Sequence, residues 1–409
     1  MTVHDAGATA AALDAADPLR EHREKFIESP GLVAYFDGNS LGRPLRASRE
    51  RIATFVTQHW GGRLIRGWDE GWLDLPLTVG DELGRVALGA ASGQVAIGDS
   101  TTVLLYKAVH AALAARPDRT EIVIDRDNFP TDRYIVEGIA ADRGLTIRWI
   151  ETDPAGGVTP ERVAEAVGSQ TAVTLFSSVA YRSAFIADIA GVNETVHAAG
   201  ALAIWDLSHS VGVVPTPLDD LRVDFAVGCG YKYLCGGPGA PAFMYVRREL
   251  QQSLHQPIQG WLGTRFPFEM AQGYEPADGM RAMLSGTPPI IAMLAMQDMI
   301  ALIDEVGLDT VRAKSVALTE FAILLSAELM PDATLASPRS AELRGGHITL
   351  DHPRFAEIMP ALWAAGVIPD FRRPNGIRIG MSPLSTSFTE VAEGIRMIAA
   401  ELARSSVST

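Results

Sequence analysis

Short apolar runs separated by helix-like stretches dominate the middle of the chain. EIVID (121–125), LTIRWI (145–150), AVTLFSS (172–178), ALAIWD (201–206), DFAVGC (224–229) and AFMYVR (242–247) are brief, rich in β-branched residues and bounded by turn formers. Those features predict strands rather than helices. Between them, 102–116, 132–144, 159–168 and 188–200 carry helical periodicity. Strand and helix in alternation imply a mostly parallel sheet with helices on both faces, the α/β class. The nearly unbroken apolar character of ALAIWD is what a strand buried on both faces requires.

Beyond residue 290 the pattern changes. The segment starting at PPIIAMLAMQDMIALIDEVG and the stretch near 310–330 read as long helices. HITLD (347–351), a helix near 353–365, VIPDF (367–371), IRIG (377–380) and a last helix over 388–404 then predict a smaller α+β unit. Thr287-Pro288-Pro289 marks a hinge, because proline does not continue a preceding helix or strand. The expected organisation is a large domain over 51–289 and a small domain over 290–409, with residues 1–50 packing against the small one.

Composition narrows the classes. With 47% apolar and 21% charged residues the 409-residue chain is ordinary globular material. Its 35 basic and 49 acidic residues sum to −14, so the basic footprint of a nucleic-acid binder is missing. No apolar stretch approaches the length of a membrane span. Two cysteines, Cys229 and Cys235, exclude a disulfide framework and fit a reducing compartment. The alanine-rich start is broken by Asp5, Asp14 and Asp17, with no basic stretch before it, unlike a signal peptide. A cytoplasmic enzyme is expected.

In open α/β sheets ligands bind beyond the carboxyl ends of the strands, and those ends carry the polar residues. ALAIWD ends in Asp206, with His209 three residues on; DFAVGC runs into Tyr231 and Lys232 and then the glycine-rich GGPGAP. A lysine so placed is either the structural partner of a carboxylate or an amine kept nucleophilic for a carbonyl. Asp206 is either a cap for the next helix or the partner of a cofactor's pyridinium nitrogen. His209 is a satisfied, partly buried histidine or a neighbour of the same ligand. Ser100, Thr101 and Thr102 open an amphipathic helix, as a simple cap or as a phosphate cradle. GxxxxGK[ST] and GxGxxG are absent, which removes the nucleotide motifs. No His/Cys/Glu group has metal-ligand spacing, so no metal is expected, and the two cysteines read as packing thiols.

Taken in order, FDGNSLGRP (36–44), GWDEGWLDLP (67–76), DSTTVLLYK (99–107), NFPTD (128–132), WDLSHSVG (205–212), GCGYKYLCGGPGAP (228–241), GWLG (260–263), GTPPI (286–290) and GIRIGMSPLSTSF (376–388) resemble kynureninases of the bacterial type. These are pyridoxal 5'-phosphate enzymes of the aspartate-aminotransferase fold, fold type I. The resemblance runs from about residue 30 to 400. It implies that Lys232 carries the cofactor covalently and that Asp206 pairs with its ring nitrogen. Thr101 and Thr102 would cradle the phosphate, Phe129 would stack on the ring, and Asp132, Ser177 and His209 would complete the cofactor site. Tyr231 is implied as a phosphate contact and proton relay. Trp261 and Thr287 are implied as cofactor contacts near a homodimer interface, Thr287 coming from the second subunit. Arg378 would hold the substrate α-carboxylate with its bidentate fork, and Trp68 would lie beside the substrate's aryl ring.

The activity implied is hydrolysis of the Cβ–Cγ bond of L-kynurenine to anthranilate and L-alanine, in tryptophan catabolism or toward NAD. 3-Hydroxykynurenine is the second candidate substrate; Trp68 and Thr287 favour the unhydroxylated one. A cysteine-desulfurase-like lyase is the alternative, with Cys235 as the available thiol. A non-catalytic amino-acid sensor of the same fold is a third reading, disfavoured by the presence of Lys232, Asp206 and Arg378.

Overall fold

The apolar runs between 121 and 247 are strands of one sheet in the computed structural model, which describes residues 3–153, 155–252 and 255–405. In chain order the strands are β1 (Ala34–Phe36), β2 (Val95–Gly98), β3 (Glu121–Asp125), β4 (Thr146–Ile150), β5 (Thr171–Ser177) and β6 (Leu202–Asp206). There follow β7 (Phe225–Cys229), β8 (Ala242–Val246), β9 (Thr334–Leu335), β10 (His347–Asp351), β11 (Val367–Arg372) and β12 (Gly376–Gly380).

The larger, seven-stranded sheet has the order β2-β8-β7-β6-β5-β3-β4. β7, β6, β5, β3 and β4 pair in parallel, and β8 runs against both its neighbours. Every residue of β6, β7 and β8 is buried, as their continuous apolar sequence requires. At the edge, β4 alternates instead: Thr146 and Arg148 are exposed while Ile147 and Trp149 face inward in part, the pattern of a strand covered on one face.

Helices between the strands start and stop where local chemistry dictates. Pro130 takes the first turn of the helix Pro130–Arg143, which ends at Gly144 in the left-handed region (φ 66°). Ser100 caps the helix Thr101–Ala114, its Oγ accepting from the Val103 amide at 3.4 Å.

The second, five-stranded sheet has the order β1-β11-β12-β10-β9. β1 pairs in parallel with β11, Ala34 opposite Val367, so the segment before residue 50 adds a strand to a sheet otherwise made near the C-terminus. Ala6 and Ala10 of the first helix share a core with Phe36, Ile379 and Ile395. The helix Ile290–Val306 sends Met293, Met296 and Ile300 into the core beside the larger sheet, with Leu83 and Leu207. The next helix, Leu308–Leu329, sends Leu318, Ala322 and Leu325 into the core of the smaller sheet instead. Among the described residues no helix is long and apolar enough to cross a membrane.

Candidate active site

The parallel strands bring their carboxyl ends to one edge of the sheet. Ser177 closes β5 in register with Asp206 at the end of β6, and Asp206 lies opposite Val227 of β7. Directly after β7 the chain turns sharply through Gly230, whose amide donates to the Pro241 carbonyl, and presents Tyr231 and Lys232. The loop after β1 clamps this turn: the Gly42 amide donates to the Tyr231 carbonyl at 2.9 Å. A Cβ on Gly42 would stand 2.4 Å from the Lys232 carbonyl oxygen, so only glycine allows that approach.

These strand ends enclose a cavity of about 120 Å³. The start of the helix Thr101–Ala114 contributes Thr101 and Thr102, the start of the next contributes Phe129 and Asp132, and the strand ends contribute Ser177, Asp206, His209, Tyr231 and Lys232. Lys232 is 7% exposed, and its Nζ lies 3.0 Å from His209 Nε2. The amine stands 5.7 Å from the centre of the Phe129 ring and 6.0 Å from that of Tyr231. Asp206 is oriented from behind, one carboxylate oxygen accepting from the Ser208 amide at 2.7 Å. Ser177 Oγ donates to Asn128 Oδ1 at 2.9 Å, which ties β5 to the loop carrying Phe129.

Burial sets the charge states around the amine. Burial, followed by the nearby Lys232 charge, holds His209 well below the usual imidazole range, so it is neutral. Asp132 is fully buried and neither of its carboxylate oxygens has a hydrogen-bond partner. Burial, and next the Asp206 carboxylate, push it well above the carboxylate range. Burial likewise raises the Tyr231 phenol, which therefore keeps its proton at neutral pH.

The remaining sequence-derived candidates lie elsewhere. Trp68 and Thr287 line a second, apolar pocket of about 760 Å³ together with Trp60, Trp72 and the Cys235–Pro238 turn. Trp261 sits on a short 3-10 turn and is 39% exposed. Arg378, in β12, is buried and does not line the cavity: it donates to the Tyr181 carbonyl at 2.7 Å and to Ser40 Oγ at 2.8 Å, and pairs with Asp370 at 2.5 Å. Its Nε has no partner. Cavity-lining residues that sequence reasoning passed over are Thr131, Tyr181 and Ser208. Each follows a strand end already singled out, which was the available signal. His347, 5.5 Å from His209 ring to ring, had none, because it reaches the site from the smaller sheet.

The donor set suits pyridoxal phosphate. The first intrahelical bond of the helix Thr101–Ala114 runs from the Leu104 amide to the Ser100 carbonyl at 3.0 Å, so the amides of Thr101 and Thr102 have no intrahelical acceptor and favour an anion. At the sheet edge are a buried amine, an aromatic ring, the Asp132 carboxyl without a hydrogen-bond partner, and the His209 imidazole, bonded through Nε2 but with Nδ1 unpaired. Unpaired buried groups of this kind signal a missing polar ligand. No group of His, Cys, Asp and Glu that could hold a metal ion occurs among the described residues.

The sequence comparisons point to one family. A model described as the kynureninase C-terminal domain matches residues 311–398. Kynureninase from Burkholderia pseudomallei is 40% identical over 398 residues, covering 95% of this chain and 94% of the relative. Kynureninase from Pseudomonas fluorescens is 37% identical over 396 residues, covering 95% and 93%. Among solved structures, a cysteine desulfurase from Thermococcus onnurineus superposes with a TM-score of 0.79 at 17% identity, over 91% of this chain and 95% of the other. A variant of the lyase C-DES with glycine covalently linked to its PLP cofactor gives 0.81 at 17% identity, over 92% and 98%. At that identity the likeness establishes the fold: these are fold-type-I architectures.

Proposed function

The chain belongs to the kynureninase family, and on that premise we propose that it hydrolyses the Cβ–Cγ bond of L-kynurenine to anthranilate and L-alanine, using pyridoxal 5'-phosphate held around Lys232. The observation that carries this reading is the buried Lys232 amine, 3.0 Å from a neutral His209 and in one cavity with Phe129 and Asp206. When bound, the cofactor supplies a carbonyl that condenses with amines and a ring that draws electrons from the substrate's Cα.

The protein's own groups then divide the work. The amides and hydroxyls of Thr101 and Thr102 would hold the phosphate, and Phe129 would lie against the ring and exclude water. The Asp206 carboxylate, fixed by the Ser208 amide, would hold a proton on the ring nitrogen. Lys232 Nζ moves the proton at the substrate Cα. Water adds at the γ-carbonyl, the Cβ–Cγ bond then breaks with its electron pair going to Cβ and the former carbonyl leaving as the carboxylate of anthranilate, and the Tyr231 hydroxyl, kept protonated by burial, gives its proton to Cβ. Arg378 receives the α-carboxylate, for which its fork must give up part of its bonding to Asp370 or the Tyr181 carbonyl. Trp68, which lines the second pocket with Thr287, packs against the aryl ring of a substrate in the site of a second copy. Trp261 and Thr287, which lie outside the cavity of their own chain, serve the site of a second copy in a homodimer. The setting is tryptophan catabolism in the cytoplasm.

A cysteine-directed lyase is disfavoured by the thiols. Cys229 and Cys235 are both buried, and burial pushes Cys235 up to about 12, where it is not a thiolate. Incubation of the cofactor-loaded protein with L-kynurenine is expected to release anthranilate, followed by its fluorescence, and Lys232→Ala is expected to abolish both this signal and the visible absorption of bound cofactor. Turnover by the Lys232→Ala protein at the original rate would overturn the assignment.

A further inference from the structure

A second lysine is buried more deeply than Lys232 and takes no part in the steps above. Lys107 lies in the helix Thr101–Ala114 and is 0% exposed. Helical side chains lean toward the N-terminus, and its stem runs back along the helix to the residue before the cap. There Nζ donates to Asp99 Oδ2 at 2.7 Å, to the Met283 carbonyl at 2.6 Å and to Ser285 Oγ at 2.5 Å. Ser285 Oγ in turn donates to the same Asp99 oxygen at 2.8 Å, closing a ring of three side chains. All three ammonium donors are used.

The ring sits where the phosphate cradle begins. Asp99 adopts a left-handed φ of 51°, a conformation that a non-glycine residue holds only when its surroundings enforce it. The next residues are Ser100, Thr101 and Thr102, whose backbone that turn sets. From the other side, the Ser285 carbonyl accepts from the Leu262 amide at 3.1 Å, and Gly286 and Thr287 follow. A cation buried at a helix N-terminus opposes the helix dipole, and burial pulls the Lys107 amine below its ordinary value, with the Asp99 bond opposing that pull. Its presence there therefore calls for a compensating task.

We propose that Lys107 is a positioning residue for cofactor binding: by neutralising Asp99 and fixing its turn, it keeps the helix start at Thr101–Thr102 receptive to the phosphate dianion. This rests on the pyridoxal-phosphate reading above. Without the ammonium, Asp99 presents an uncompensated carboxylate two residues from the cradle, which repels a phosphate and leaves a neutral ligand indifferent.

Pyridoxal, the same ring without the phosphate, separates the two effects. The protein stripped of cofactor is equilibrated with each compound and affinity read by equilibrium dialysis. Wild type is expected to prefer pyridoxal phosphate strongly. In Lys107→Met that preference falls about tenfold or more, with pyridoxal affinity nearly unchanged. The double variant Lys107→Met with Asp99→Asn, which removes both charges, recovers most of it. Ser285→Ala, a milder cut in the ring, shifts the preference in the same direction and keeps the question open to decision should Lys107→Met fail to fold. An unchanged preference in Lys107→Met and Ser285→Ala overturns the proposal. So does a double variant no better than Lys107→Met, because the lysine would then be packing alone. A wild type without preference for the phosphate overturns the underlying cofactor reading, and this inference with it.

Discussion

Arg378 shows how a single side chain can be committed before its ligand arrives. Its guanidinium is held by Asp370, Ser40 Oγ and the Tyr181 carbonyl, and Asp370 is also bonded by Arg372 at 2.8 Å. A substrate carboxylate would exchange for a carboxylate already present, which keeps the buried cation neutralised throughout. Arg378→Ala is expected to raise KM about tenfold or more with a smaller change in kcat, as loss of binding common to ground and transition states predicts. Steady-state kinetics on L-kynurenine check it, and an unchanged KM would remove Arg378 from the role. Asp125, at the end of β3, supplies a pH test. Burial raises its carboxyl from 3.8 to about 7. The folded state therefore favours the neutral acid, and its contribution is complete below about pH 4 and lost as pH rises through about 7. Asp125→Asn, neutral at every pH, should match wild type near pH 4 and exceed it by up to roughly 4 kcal/mol above pH 7. A stability gap equal at pH 5 and pH 8 would refute this. At this scale residue type alone singled out Lys232 and Asp206, and both line one cavity. The sequence was silent on Tyr181, whose backbone carbonyl holds Arg378 and whose ring meets Phe129 edge-on at 5.4 Å.

Elements buried on both faces were legible because burial writes itself into the sequence as an unbroken apolar run. EIVID is β3 from first residue to last, HITLD is β10, and the other central runs agree within a residue or so at each end. β1, β2 and β9 were missed. They are only three, four and two residues long, too short to show a period, and each exists because a partner strand supplies its ladder bonds. β2 is additionally held by the helix Leu75–Leu83, which approaches so closely that a Cβ on Gly80 would stand 2.3 Å from the Val95 carbonyl oxygen. Gly80→Ala should force the helix off the strand and cost about 1–3 kcal/mol in spite of alanine's better helix propensity. Denaturant unfolding measures this, and a gain in stability would show that the contact is looser than it stands here.

Among the large apolar side chains left in water, two groups lie close together in the chain: Trp60, Leu64 and Ile65, and Trp261, Phe266, Phe268 and Met270, with Ile65 and Met270 each 76% exposed. Covering these side chains would remove apolar area from water, and a second copy is the occupant proposed above. Dilution below the dimer's dissociation constant should then lower activity per chain together with the sedimentation coefficient; a fully active monomer would exclude the shared site. The sequence by itself determined the α/β class, the central strands and the kind of chemistry at their ends, because these follow from short-range periodicity and from residue type. Only the tertiary structure decided which groups meet. Asp99 and Ser285 are 186 positions apart, and Arg378 receives Tyr181 from 197 positions away. Asp132 lacks a partner only because the surrounding chain closes over it. Partnership and charge state depend on burial and on distances between remote segments, and the folded backbone alone sets those.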